Sequence, residues 1–394
     1  MFEQLDAPRQ DPILSLTVAF RNDPRPNKID LGIGVYRNSE GVTPIMAAVR
    51  QAQIGLAEEQ TTKSYVGLAG DEVFNDLITD LVLKGTEARS RTSAVQTPGA
   101  SGALRMLVDL MASAQPDTRV WISNPSYVNH RPVMEAAGLQ VEQYPYFDPE
   151  TKVVDEAAML AQFEQLGPRD VVLLHGCCHN PTGADLSEAA WQRIAELAVE
   201  RGFLPFVDIA YQGFGDGLIE DAAGLRLLAE AVPEMLIATS CSKNFGLYRE
   251  RTGAAIVIGK TLEHSQRAKG RILEMARATY TMPPDHGAAI VARILQDETL
   301  RNTWQSELVA MNQRINGLRS LLVEQFRIAS DSQRFDYFGE HRGMFSVTGL
   351  DETQIARLKA DHGIYLVGGG RVNVAGMAER DVPIVVDAFL DVGA

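Results

Sequence analysis

Between about residues 92 and 260, short apolar runs alternate with stretches of helical periodicity. The runs at 92–96, 120–123, 139–144, 171–174, 203–209, 235–239 and 253–258 carry Val, Ile, Leu, Phe or Tyr between turn residues, and they read as strands. Several lack polar alternation, as expected of strands covered on both faces. Helical spacing occupies 103–112 and 187–201. Strand and helix in repetition predict an α/β fold with a mainly parallel sheet.

The flanking regions read differently. Asp11-Pro12 can start a short helix whose apolar face is Ile13, Leu14, Leu16, Val18 and Phe20, broken by prolines at 24 and 26. A strand is expected at 29–36, a helix at 43–60, and a glycine-rich loop at 65–70. After 260 the chain turns helical, with a long stretch at about 298–327. Short strands at 344–347, 364–367 and 372–374, with helices near 352–362 and 379–391, describe a smaller α+β unit. The organisation expected is an N-terminal arm (1–30), a large domain (31–310) and a small domain (311–394).

Charge narrows the partners. A net charge of -14 argues against nucleic acid and anionic membrane, which attract basic surfaces. An anionic substrate then needs a locally basic pocket. Cys177, Cys178 and Cys241 are too few, and too awkwardly spaced, for a disulfide framework. With no leader-like or membrane-length apolar run, the expected compartment is the cytoplasm.

The chemistry centres on Ser240-Cys-Ser-Lys243, just past the apolar run 235–239, and on Arg251. A lysine at the C-terminal end of a buried strand sits where open α/β sheets place ligands. Partial dehydration frees its amine to attack a carbonyl carbon. Ser240 and Arg251 suit a phosphate. The same four residues fit the Ser-x-x-Lys signature of penicillin-binding proteins, but that family's Ser-Asp-Asn and Lys-Thr-Gly partners do not occur here. No Gly-x4-Gly-Lys P-loop occurs either. Thr97-Pro-Gly-Ala-Ser-Gly102, between a strand and a helix, offers a second phosphate-binding turn or a plain tight turn. Asp208 in an apolar run needs a partner, either a structural one or a cationic ring. A lysine with phosphate ligands points to pyridoxal 5'-phosphate. His175-Gly-Cys-Cys-His179 invites a metal, but its spacing matches no zinc pattern, and no metal is expected.

Eight segments occur in an order and spacing similar to the aspartate and aromatic aminotransferases of fold type I: LGIGVYR, TTKSYVGLAG, QTPGASGALR, SNPSYVNH, HGCCHNPTG, DIAYQGFGDG, SCSKNFGLYRER and GRVNVAGM. The resemblance implies a seven-stranded sheet and a homodimer with shared sites. It makes Lys243 the covalent anchor of pyridoxal phosphate and the proton carrier, with Tyr211 and Tyr65 in supporting catalytic roles. Asp208 would pair with the ring nitrogen, backed by His130 and His175. Tyr211 and Asn180 would bind the ring oxygen, and Tyr127 would stack on the ring. Ala100, Ser101, Ser240, Arg251 and Tyr65 of a second subunit would hold the phosphate. Gly34, Tyr127, Asn180 and Arg371 would receive the substrate, with Arg371 on its α-carboxylate. Arg277 of the second subunit would meet a side-chain carboxylate, favouring aspartate.

The chain departs from that family's aspartate-specific pattern. Tyr127 stands in place of a tryptophan, Ser101 of a threonine, Met282 of an asparagine, and Arg37 of a lysine; Ser64 stands where asparagine is common. These changes leave aromatic donors and a small acceptor such as glyoxylate open. The rivals are a β-lyase or decarboxylase on the same fold, and a non-enzymatic regulator. The regulator reading fits poorly with a retained Lys243.

Overall fold

Seven strands form the central sheet of the computed structural model, which describes residues 1–6 and 12–393. In chain order the strands are β1 (Ile29–Asp30), β2 (Thr92–Pro98), β3 (Arg119–Asn124), β4 (Gln140–Pro145), β5 (Asp170–His175), β6 (Leu204–Ile209), β7 (Met235–Ser240), β8 (Thr252–Ile258), β9 (Phe345–Val347), β10 (Ile364–Tyr365) and β11 (Arg371–Asn373). The central sheet runs β2-β8-β7-β6-β5-β3-β4. β8 alone runs opposite to the other six strands. Every residue of β7 and β8 is buried, which explains their apolar runs at 235–238 and 253–258.

Register decides what meets at one edge. His175 pairs with Asp208, Asp208 with Ala238, Ser240 with Gly253, and Pro98 with Thr252. The chain therefore leaves β2, β5, β6 and β7, and enters β8, along a single rim. That rim is the carboxyl end of the parallel strands, where such sheets bind ligands.

Helices cover both faces. The helix Gly99–Ala114 starts immediately after β2, four residues earlier than its apolar spacing predicts, because Gly99 adopts φ +68° and turns the chain at once. The helix expected at 43–60 is Ala47–Glu59; Pro44 precedes it, and the Glu307 carboxylate accepts from the Ala47 and Ala48 N–H groups at 2.6 and 3.1 Å. The long helix Glu298–Ser330 spans about 50 Å. Leu300, Trp304, Leu308, Met311 and Ile315 pack into the sheet's core, and Leu318, Leu322 and Phe326 into a second core.

That second core also takes Ile29 and Leu31 from the N-terminal side. The strand expected at 29–36 is only β1, paired parallel with β10. Beyond it the carbonyls of Ile33 and Val35 accept from Asn373 Nδ2 at 2.5 and 2.9 Å, so a side chain replaces the ladder. The expected helix at 352–362 is Glu352–Arg357 followed by a wider turn at Leu358–His362, and that at 379–391 is Val382–Asp391. In the arm, the helix is Pro12–Asn22. Asp11 and the Ile13 side chain lie outside the described residues. Leu16 packs at Gly32 and Phe20 edge-on to Tyr365, while Leu14 and Val18 are exposed. Among the described residues, no helix is long and apolar enough to cross a membrane.

Candidate active site

At the rim lies a cavity of about 260 Å³. Its walls include Lys243, Asp208, Tyr211, Ser240 and Arg251 from the ends of the central strands, and Arg371 from β11. Gly34, Ala100, Ser101, Tyr127, His175 and Asn180 complete the expected residues that line it.

The Lys243 ammonium sits 4.8 Å from the centre of the Tyr211 ring. Burial pushes its pKa down to about 8; Asp208 opposes this, while Arg251 and Arg371 reinforce it. Burial, the largest influence, raises the Asp208 carboxyl, yet the hydrogen bond from His130 together with the charge interactions of His130, His175 and Lys243 leaves it below its ordinary value. Burial also pushes the Tyr211 phenol well up, so it stays a donor.

Hydrogen bonding behind Asp208 runs in one direction. His175 Nδ1 accepts from the Asn180 N–H at 3.3 Å, so its proton is on Nε2, and burial, pulling its pKa down to about 3, keeps the ring neutral. Nε2 faces Ser126 Oγ at 3.4 Å, and Ser126 passes its own hydrogen to His130 Nδ1 at 2.9 Å. His130 Nε2–H is then left to donate to Asp208 Oδ2 at 3.0 Å. The other carboxylate oxygen, Oδ1, is buried and makes no hydrogen bond. A protonated ring nitrogen is the kind of donor it lacks.

A mirror situation holds at the basic end. Arg371 is 6% exposed; its Nη2 donates to the Gly32 carbonyl at 2.8 Å and its Nη1 to Asn180 Oδ1 at 3.3 Å. Its Nε is buried without a partner. The same Asn180 places its amide 3.4 Å from the Tyr211 hydroxyl. The Phe345 ring covers the Arg371 guanidinium at 4.3 Å.

An anion cradle lies beside Lys243. The helix at Gly99 has no side-chain cap, so its first N–H groups remain available at Ala100 and Ser101. A Cβ on Gly99 would lie 2.7 Å from the Arg251 guanidinium, and one on Gly253 would lie 2.8 Å from the Ala100 nitrogen. Only glycines let the strand, helix and arginine close this tightly. A phosphate fits the donor set.

Two expected residues stand apart. Tyr65 is 88% exposed, and Arg277 is exposed on the last turn of the helix Leu262–Thr279. Neither lines the cavity. Their segments touch through the Val66 N–H and the Met282 sulfur at 3.3 Å. Cys177, Cys178 and Asp221 bring possible metal-ligand atoms within 4.8 Å of one another. Both Asp221 oxygens already accept two backbone N–H groups each, which accounts for that carboxylate as a loop clasp.

Sequence reasoning passed over Ser126, Ser242, Tyr248 and Phe345. Ser126 sits inside a recognised motif, one residue before Tyr127, and its spacing of four from His130 was a usable signal. Phe345 is one apolar residue in an apolar run and carries no such mark.

Residues 26–389 match the family model described as aminotransferase class I and II. Over 393 residues, covering 100% of both chains, the sequence is 45% identical to an aromatic-amino-acid aminotransferase of Paracoccus denitrificans. It is 44% identical over 397 residues to an aspartate aminotransferase of Escherichia coli K12, again covering 100% of both. Among solved structures, the aromatic-amino-acid aminotransferase of Burkholderia pseudomallei covalently bound to pyridoxal phosphate is 38% identical, with a TM-score of 0.97 over 100% of this chain and 99% of that one.

Proposed function

Since the chain belongs to the class I and II aminotransferase family and is an aminotransferase, we propose that it uses pyridoxal 5'-phosphate, as a homodimer, to move the amino group of L-aspartate to a 2-keto acid. The observation that carries this reading is a pair of buried, unpartnered groups of opposite kind on one cavity. Asp208 Oδ1 is an acceptor suited to a ring N–H, and Arg371 Nε is a donor suited to a carboxylate.

Bound there, pyridoxal phosphate supplies an aldehyde carbon and an electron-withdrawing ring that stabilises negative charge at the substrate Cα. Lys243 Nζ would hold the aldehyde carbon and, when free as the amine, would carry the proton at the substrate Cα. Asp208 keeps the ring nitrogen protonated, and the His130–Ser126–His175 chain fixes its orientation. Tyr211 and Asn180 donate toward the ring oxygen, with Tyr127 beside the ring. The Ala100 and Ser101 N–H groups, Ser240 and Arg251 bind the phosphate. Arg371 orients the α-carboxylate, with Gly34 and Asn180 alongside. Tyr65 and Arg277 complete the site of a second copy of the chain, Tyr65 at the phosphate and Arg277 at the substrate side chain. Their exposure and the contact between their segments support that arrangement. Donor and acceptor use the same site in turn. The division into arm (1–30), large domain (31–310) and small domain (311–394) is part of this reading, with the long helix crossing from one core to the other. Three buried free thiols suit a reducing compartment, the cytoplasm.

Two outcomes test the substrate and the amine. Arg277→Leu is expected to lower kcat/KM for aspartate about 100-fold, the worth of roughly one charged hydrogen bond, and to leave phenylalanine nearly unchanged. Equal losses on both would remove Arg277 from side-chain recognition. Because Lys243 has a depressed pKa of about 8, the neutral amine fraction rises tenfold from pH 6 to 7 and levels off above 8. The rate at which cofactor-free protein captures pyridoxal phosphate should follow that curve. A rate still climbing tenfold per unit at pH 9 would contradict it.

Met282 favours a second, broader reading. Its thioether lies at the Val66 backbone, where it suits an aromatic side chain as well as an aliphatic one. Donor assays with phenylalanine and tyrosine beside aspartate, and acceptor assays with 2-oxoglutarate, oxaloacetate and glyoxylate, decide between narrow and broad use.

A further inference from the structure

The long helix Glu298–Ser330 carries a guanidinium where its two cores meet. Arg319 is 1% exposed and has no ion-pair partner among the described residues. Its two terminal nitrogens are satisfied by neutral acceptors instead, while its Nε is buried without a partner. Nη1 donates to the Phe338 carbonyl at 3.0 Å and to Ser346 Oγ at 2.9 Å. Nη2 donates to the carbonyls of Arg342, Gly343 and Phe345 at 3.3, 2.7 and 2.8 Å. Burying a cation without a carboxylate is a costly way to fill space, and an apolar residue of similar volume would pack as well. The return is the shape of the segment 338–346, five of whose groups converge on one planar fork.

That segment has two other attachments. On one side it is seated on the loop that presents Asn180. The Arg342 N–H donates to the Gly183 carbonyl at 2.7 Å, and a Cβ on Gly343 would lie 2.3 Å from Cys178 Cβ. On the other side it becomes β9, whose Phe345 and Val347 pair with Asn373 and Arg371 of β11. The Phe345 ring lies 4.3 Å from the Arg371 guanidinium, edge-on to Tyr211 at 5.9 Å, and 3.2 Å from where a Gly34 Cβ would stand. Arg319 thus holds, by its backbone, the residue that covers the carboxylate-binding arginine.

We propose that Arg319 is a positioning residue for substrate recognition: by gathering the carbonyls of 338–345 it sets the Phe345 ring over Arg371, and so tunes affinity for the substrate α-carboxylate. The proposal rests on the reading of Arg371 as the carboxylate receptor. It assigns Arg319 no part in holding the phosphate or the ring nitrogen, whose ligands lie on other elements.

The test uses holoenzyme and a carboxylate that lacks the amine, 3-phenylpropionate, with binding followed by calorimetry. Arg319→Met keeps the length but removes every donor. Its dissociation constant is expected to be roughly 10- to 100-fold weaker, the effect of displacing a recognition group by about an ångström. Bound cofactor should stay stoichiometric by absorbance, and KM for amino acids should rise more than kcat falls. Arg319→Lys keeps the charge without the fork and should recover only part of the affinity. Phe345→Leu and the double variant should be non-additive with Arg319→Met, because both act on one contact. Should the Met variant fail to fold, the Lys variant and Ser346→Ala, which removes one acceptor, carry the same comparison. Unchanged 3-phenylpropionate affinity in a folded Arg319 variant, or full additivity with Phe345→Leu, would overturn the proposal. Arg371→Leu is the control: if it too leaves 3-phenylpropionate binding intact, the carboxylate site itself has been misplaced.

Discussion

Replacing Lys243 by alanine is expected to abolish transamination while the protein still takes up pyridoxal phosphate. The proposed phosphate cradle uses the Ala100 and Ser101 N–H groups, Ser240 and Arg251 but not the Lys243 amine, and Asp208 lies on β6. The substitution removes only the amine. Without it no group in the cavity combines a depressed pKa of about 8 with reach to the substrate Cα. Loss of a proton carrier alone costs up to about four orders of magnitude in rate, and loss of the covalent exchange adds to it. Steady-state assays with aspartate and 2-oxoglutarate, alongside absorbance of the dialysed protein, check both halves. Normal turnover by the alanine variant would sink the assignment. Loss of cofactor along with turnover would show that the noncovalent cradle is weaker than its donors imply.

The second large effect is at Arg371. Two charge-assisted hydrogen bonds to a carboxylate are worth about 3 to 6 kcal/mol together, so Arg371→Leu should lower kcat/KM by roughly 10² to 10⁴. The fall should be similar for aspartate and phenylalanine, since every amino acid carries the α-carboxylate. This separates Arg371 from Arg277, whose loss is expected to fall on dicarboxylic substrates alone. Arg371→Lys should recover little, because an ammonium cannot reproduce a fork already committed at Gly32 and Asn180. A variant that lost aspartate but kept phenylalanine would place Arg371 at the side chain instead.

The Asp208 geometry shows why single-residue readings have limits. As a carboxylate in an apolar strand it was marked by sequence as needing a partner. Only the fold shows that one oxygen is held by a chain from the Asn180 N–H through His175, Ser126 and His130. His130, which makes the contact, lies 78 positions from Asp208, and no local spacing connects them.

The seven strands of the central sheet were legible in the sequence by itself, because buried strands must be apolar and that pattern is local, whereas the helices His130–Glu135, Glu156–Phe163 and Ala223–Ala231 were not. The sequence also marked Lys243, Asp208 and the turn at Thr97–Gly102, because charged or glycine-rich residues at strand ends are rare enough to stand out; Arg371 was marked only by the family resemblance. Tertiary structure decided the rest. Register at the rim brought His175 against Asp208 and Gly253 against Ser240. The brevity of β1 followed from a distant side chain, Asn373, taking carbonyls that a strand would have paired. Phe345 and Arg319 were invisible in the sequence for the same reason: their importance lies in contacts 19 and more residues away, and periodicity records only which face of an element is buried, not what it is buried against.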